Sequence, residues 1–321
     1  MQQSTPPHSD AWTLSDGHAG NVRQVQALAQ AMALPDVREW TLHARVPWRW
    51  LSPRWLPGAG RAFGDDFARA METPPHVAIG CGRQAALATR VLRRRGARAV
   101  QILDPRISTR HWDVVIAPEH DGLRGENVIN LLGSLHPVDD LWLGATRQQF
   151  STFAQLPQPR TAVLVGGASA HAAFDNDSMS RWLDALAARI ADEGGSVLAT
   201  ASRRTPELAR TLLRTALGKL SGVVWCDERD GANPYAGLLG WADRIVCTAD
   251  SVNMLSEAAA TNVPVFVAGI DALGGRPRRF VDSLLTTGRV RAFDDVLAPF
   301  AVTPLRETAR VAAEVRGRLG L

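Results

Sequence analysis

Lysine is nearly missing from this chain of 321 residues. Lys219 is the only one, so the formal charge of +4 and the isoelectric point near 9.6 rest on arginine. Guanidinium groups stay charged and present flat forks, which suits phosphate or acidic headgroups. Tyrosine is as scarce: Tyr235 stands alone, and the residue four positions on is Leu239. That excludes the Tyr-x-x-x-Lys pair of short-chain dinucleotide enzymes. Only Cys81, Cys226 and Cys247 supply thiols. They are odd in number, widely spaced and set in apolar runs, so buried free thiols are expected rather than a disulfide framework or a metal site. Nowhere do about 18 uninterrupted apolar residues mark a membrane span. The first ten residues are polar and proline-containing, with no signal-peptide core, so the expected location is the cytoplasm, with peripheral contact at the inner face of a membrane left open. Short repeats, low-complexity tracts and nucleic-acid-binding motifs are lacking as well, and no nucleic-acid partner is expected.

Forty-five per cent of the residues are hydrophobic, enough for two cores at this length. Apolar strand patterns alternate with helical ones through residues 11–117, with a last strand at 127–131. A connecting helix follows at 138–153 and a Pro-rich linker at 156–160. The alternation then restarts over 162–267. This βαβ grammar predicts an α/β fold of two doubly wound, Rossmann-like domains facing across a cleft. The expected boundaries are 1–155 for the N-terminal domain, 160–300 for the C-terminal domain, and 301–321 for a closing amphipathic helix.

Residues 241–267 read as a buried strand, a small-residue turn, a helix over 252–261 and a second strand. Asp250 and Ser251 are the N-cap candidates, and the free amides at the helix start face a ligand of negative charge. Glu257 lies six residues past Ser251, too far for a capping box, and its carboxylate can accept hydrogen bonds from a ribose diol. Gly166, Gly167 and Ser169 follow the first strand of the second domain, where backbone amides can cradle a diphosphate. Arg203 or Arg204, after the next strand, can offset the charge of a leaving diphosphate.

Asp16, Gly17, His18, Ala19, Gly20 and Asn21 follow the first strand and open a helix over 21–32. Loops at the carboxyl ends of strands bind ligands in such sheets. Asp16 or His18 can therefore act as general base toward an acceptor hydroxyl, His18 being favoured because an imidazole ordinarily titrates near neutrality. A plain strand-to-helix turn capped by Asn21 is the alternative. Gly80, Gly82 and Ala85 match G-x-G-x-x-A, with Asp104 ending the next strand. The motif follows the third strand rather than the first, so a tight strand-to-helix turn is the expectation, with Arg83 and Gln84 near any ligand. Residues 45–57 gather Trp48, Trp50 and Trp55 with Arg45, Arg49 and Arg54, a set that suits either a membrane interface or a buried tryptophan loop.

The 241–267 segment resembles the nucleotide-sugar site of two-domain glycosyltransferases of GT-B architecture. Blocks 15–32, 233–243 and 304–312 are similar to bacterial members of the elongated-mitochondria (mitochondrial fission) family. The resemblance implies a GT-B-like fold, with Ser251 and Asn253 at the phosphates, Glu257 on the ribose, and the loop of Asn233, Pro234 and Tyr235 on the base. It implies a metal-independent glycosyltransferase that uses a nucleoside diphosphate sugar as donor, needs no cofactor, and meets a lipid-linked or envelope acceptor. The other implied function is a non-catalytic adaptor that recruits a partner.

Overall fold

The computed structural model describes residues 11–167 and 176–321. Two compact units divide them: residues 11–137 with 307–321, and residues 138–306 without 168–175. Unit 1 begins β1 (Ala11–Ser15), α1 (Ala19–Ala31), β2 (Val37–Thr41), α2 (Trp48–Leu51), α3 (Asp65–Ala70) and β3 (Val77–Cys81). It continues with α4 (Arg83–Arg93), β4 (Arg98–Ile102), β5 (Val114–Pro118) and β6 (Val128–Leu131). Unit 2 carries α5 (Asp140–Gln149), β7 (Arg160–Val165), α6 (Asn176–Asp192), β8 (Ser196–Ala201), α7 (Glu207–Leu217) and β9 (Gly222–Trp225). After these come α8 (Tyr235–Trp241), β10 (Arg244–Thr248), α9 (Val252–Ala259), β11 (Val265–Ala268), α10 (Gly275–Thr286) and β12 (Arg291–Ala292). The last helix, α11 (Thr308–Leu319), returns to unit 1.

Among the described residues each unit holds one six-stranded sheet, in the orders β2-β1-β3-β4-β5-β6 and β12-β11-β10-β7-β8-β9. Every pairing is parallel, as expected for doubly wound α/β domains. The strand order reverses between β1 and β3 in unit 1, and between β7 and β10 in unit 2. Such switch points splay the two flanking connections apart and open a crevice at the carboxyl ends of the strands. Continuous burial of β3, β5, β7, β8 and β10 explains their runs of apolar or small residues, which in β7 and β10 begin after the opening arginine.

Helix α11 buries Val311, Ala312, Val315 and Leu319 against Val25, Leu28 and Met32 of α1 and the β3–β6 core. Its start is pinned by Glu307, whose carboxylate accepts from the Leu132 amide. Several elements differ from their expected spans. The stretch read as one helix over 61–71 is a 3₁₀ turn at Ala59–Arg61 and then α3, broken at Gly64, whose φ of 95° departs from helix. The connecting helix stops at Gln149 and passes into a 3₁₀ helix at Ser151–Gln155. Helix α10 and the two-residue strand β12 had no sequence expectation.

Candidate functional site

At the unit 1 switch point, β1 runs into Asp16 and His18, and β3 into Gly82. Helix α1 starts at Ala19 with His18 as its N-cap, two residues before the expected start. Asn21 is not the cap because its side chain turns back: Nδ2 donates to Asp16 Oδ1 at 2.9 Å, and Oδ1 accepts from the Cys81 thiol at 3.4 Å. The His18 Nδ1 lies 2.9 Å from Asp16 Oδ1, and the His18 amide donates to the same oxygen at 3.2 Å. Burial raises the Asp16 carboxyl pKa, but hydrogen bonds from Asn21 and His18 outweigh it, and the carboxyl sits below its usual value. The charged carboxylate orients an imidazole that is 75 % exposed and leaves Nε2 free to take a proton. Gly82, at φ 88°, lets the two loops meet: a Cβ there would lie 2.8 Å from Asn21 Nδ2.

The rest of the G-x-G-x-x-A motif serves packing. A Cβ on Gly80 would lie 2.7 Å from Thr89 and 3.2 Å from Ala85, so both small residues draw α4 onto β3. Asp104 is taken by Arg106, through its amide at 2.8 Å and its guanidinium at 3.3 Å. Gln84 accepts from the Ala44 amide at 2.7 Å, and Arg83 donates to the Arg49 carbonyl at 3.3 Å.

At the unit 2 switch point, β7 runs into Gly166 and Gly167, and β10 into Asp250 and Ser251. Ser251 is the N-cap of α9, its hydroxyl accepting from the Met254 amide at 3.4 Å. The first-turn amides of Val252 and Asn253 have no intrahelical carbonyl to meet, and Asn253 is partly exposed. Glu257 is 3 % exposed, and the Tyr235 hydroxyl donates to its carboxylate. Asn233 holds the start of α8 by accepting from the Tyr235 amide at 2.9 Å. Five of the residues expected on phosphate, ribose and base thus fall into two groups, Ser251 with Asn253 at the start of α9, and Glu257 with Tyr235, whose amide is held by Asn233.

Gly167 is engaged within the chain. Its amide donates to Asp250 at 2.6 Å, and the Gly166 amide donates to Thr248 at 2.8 Å. A Cβ on Gly167 would lie 2.5 Å from the Arg204 backbone, so the β7 and β8 loops are in close contact. Thr205 ties them further, accepting from Ser202 or donating to it at 3.0 Å and donating to Val165 and Gly166 carbonyls. The Arg203 side chain is exposed, and no ion-pair partner reaches it among the described residues. Ser169 lies outside the described residues. No group of three or more His, Cys, Asp or Glu residues capable of holding a metal occurs among the described residues, and the three cysteines are buried and free.

Asp250 was legible only as a cap candidate, because its bond to Gly167 spans 83 residues. Burial pushes its carboxyl above the ordinary value of 3.8, against the opposing pull of Thr248, the Gly167 amide and Arg204. An acid whose pKa is raised by folding stabilises the fold below its unfolded pKa, and that contribution is lost as pH rises through the folded value. Asp250→Asn, which carries no charge to bury, is therefore expected to gain stability relative to wild type over a window that opens near the ordinary carboxyl value of 3.8 and closes at the raised folded value. Urea unfolding of both proteins across that window measures it. A stability difference that stays flat or shrinks with pH would show that Asp250 is not ionising at a cost.

No described helix is long and apolar enough to cross a membrane. A sequence model of the family described as "Mitochondrial fission ELM1" matches residues 19–319. Mitochondrial fission protein ELM1 of Arabidopsis thaliana is 31 % identical over 276 residues, covering 76 % of this chain and 64 % of its own length. The chain therefore spans less than two thirds of that plant relative. Among solved structures, UDP-N-acetylglucosamine 2-epimerase from Rickettsia bellii superposes with a TM-score of 0.51 at 13 % identity, covering 97 % of this chain and 96 % of its own. UGT2 of Phytolacca americana, complexed with UDP-2fluoro-glucose and pterostilbene, gives 0.51 at 10 % identity, covering 100 % and 94 %. At these identities the likeness is one of fold, the GT-B-like pairing of two Rossmann-type domains.

Proposed function

This chain belongs to the mitochondrial fission ELM1 family, and we propose that it is a nucleoside-diphosphate-sugar-binding protein that acts as a metal-independent glycosyltransferase. One observation carries the reading: a capped helix start and a buried carboxylate share α9, which begins at the switch point of unit 2. On this reading the first-turn amides of α9 and the Arg203 guanidinium take the diphosphate. Glu257 accepts from the ribose diol, sharing its oxygens with Tyr235 or exchanging that partner for the ligand. The loop at Asn233 meets the base. The acceptor oxygen forms a bond to the anomeric carbon as the bond to the diphosphate breaks, and the acceptor proton passes to His18 Nε2. The UDP-sugar ligand of the plant glycosyltransferase with this fold supports the choice of donor class.

The test is calorimetric titration of nucleoside diphosphates and their sugars against wild type, Glu257→Ala and Tyr235→Phe. One nucleotide is expected to bind selectively, and Glu257→Ala to weaken it about 100-fold, the loss of two hydrogen bonds to a charged group. Undiminished affinity in a folded Glu257→Ala protein would remove Glu257 from the site. The second reading is a non-catalytic adaptor that recruits a protein partner, and the family's fission designation favours it. Absence of binding by every nucleotide, with a partner retained by a protein substituted at Asp16, His18 and Glu257, would establish that reading instead.

A further inference from the structure

Large hydrophobic side chains are exposed at only a few places among the described residues, and in unit 1 they occur together. Val46 is 56 % exposed, Trp50 68 % and Leu51 40 %, all within the tip formed by α2 and the residue group just before it. The other two tryptophans of the segment behave differently: Trp48 and Trp55 pack against the core beneath β1 and α4. The segment is thus anchored through Trp48 and Trp55, and Val46, Trp50 and Leu51 give it an exposed apolar face.

Its charge has one sign. Residues 45–57 include Arg45, Arg49 and Arg54, all exposed, and no acidic residue; the nearest counter-charge is Asp65, 4.0 Å from Arg45 with both groups in solvent. Two further arginines contact the segment. Arg90 donates to the Pro53 carbonyl at 3.1 Å, and the Arg94 guanidinium stacks 4.1 Å from the Trp55 ring. These same two arginines line a cavity of about 400 Å³ with Arg93, Arg98, His111 and Asp113. Four arginines there face one carboxylate, and that carboxylate is already bound by Arg93 at 3.0 Å. Partial burial, then the charges of Arg90, Arg94, Arg93 and Arg110, push the His111 imidazole toward its neutral form, which fits a strongly positive local potential.

We propose that unit 1 docks on an anionic lipid surface, with Val46, Trp50 and Leu51 entering the interface and the arginine-lined cavity beside them receiving lipid phosphate groups. A tryptophan with leucine and valine at a tip partitions into the headgroup boundary, and a ring of cations adds attraction that falls with salt. Arginine forks bind phosphate oxygens in pairs, which lysine cannot do. Neither half would hold alone: three apolar side chains give weak insertion, and a basic patch without them gives only a salt-sensitive encounter. Their contiguity is what favours a bilayer over a soluble anion. The inference stands apart from the nucleotide site, since it uses no residue placed there.

The experiment is flotation of the full chain with vesicles of phosphatidylcholine, and of phosphatidylcholine mixed with phosphatidylglycerol, over a range of sodium chloride. Wild type is expected to float with the anionic vesicles alone, and less so as salt rises. The tip variant Trp50→Ser with Leu51→Ser is expected to bind about tenfold more weakly or worse, with an unchanged melting temperature because both side chains are exposed. Arg94→Gln with Arg98→Gln should weaken binding severalfold and flatten its salt dependence. No flotation with anionic vesicles, equal flotation with neutral ones, or a tip variant that floats like wild type would each overturn the proposal. So would tighter retention of an RNA oligomer than of vesicles, which would assign the arginines to nucleic acid.

Discussion

Replacing His18 with alanine is expected to lower glycosyl transfer by about 100- to 10,000-fold, the usual contribution of a positioned general base, while nucleotide affinity stays as in wild type. The expectation rests on the proposed transferase reading and on the geometry at the end of β1. Asp16 Oδ1 accepts a hydrogen bond from His18 Nδ1–H, which fixes the tautomer with its lone pair on Nε2. A carboxylate held below its usual pKa stays charged throughout the neutral range, so it stabilises the imidazolium formed when the proton arrives. The His18 side chain makes no capping bond to α1 and is mostly in solvent, so its removal should leave the melting temperature nearly unchanged. Turnover is followed as nucleoside diphosphate released from the donor that the binding panel selects, with membrane extract as acceptor source. Equal release by His18→Ala would end its assignment as base, whatever the nucleotide affinity.

Arg289→Leu is expected to destabilise the protein by on the order of 3–5 kcal/mol, the cost of stranding two or three buried carbonyls that now accept from a charged donor. Helix α9 stops at Ala259, short of the expected Thr261, and no glycine closes it. Arg289 does so instead, donating through Nε to the Ala259 carbonyl at 2.6 Å and through Nη2 to Ala258 at 3.2 Å and Thr261 at 2.8 Å. Arg306 adds a bond to Ala260 at 2.9 Å. Burial lowers the Arg289 guanidinium to about 10, with Arg306 repelling it further, so it remains charged at neutral pH. Leucine roughly fills the volume but strands carbonyls at the negative end of the helix that carries Ser251 and Glu257. Urea unfolding gives the stability loss. Arg289→Lys should recover only part of it, because an ammonium cannot span the same carbonyls. A loss below about 1 kcal/mol would mean that water replaces the guanidinium at little cost.

The parallel sheets were legible because their strands are buried on both faces. Val77–Cys81 and Arg244–Thr248 have every residue buried, and past the arginine that opens the second they are runs of apolar or small residues. The candidate loops were legible for a related reason, since a polar cluster directly after such a run has few other uses. What long-range contacts decide was not legible. The Tyr235 bond to Glu257 and the Asp250 bond to Gly167 join residues 22 and 83 apart, and no local spacing encodes either. Asn21 has the composition of a cap, yet Asp16 and Cys81 claim its side chain. Three tryptophans within eight residues look alike in sequence, whereas packing sends Trp48 and Trp55 inward and Trp50 out. Strand β12 is two residues long, below the reach of any periodicity.

Helix α11 also bears on the order in which the chain can fold as it is made. The last fifteen residues supply Val311, Ala312, Val315 and Leu319 to a core whose other members are numbered below 136. The Arg316 guanidinium reaches back to the Met32 carbonyl, 284 positions earlier. A ribosome therefore releases the β1–β6 sheet well before its covering helix, with the whole of unit 2 synthesised in between. The domain that emerges first is the one whose apolar groove closes only after unit 2 has been made, and it stays dependent on nascent-chain protection until α11 has been synthesised.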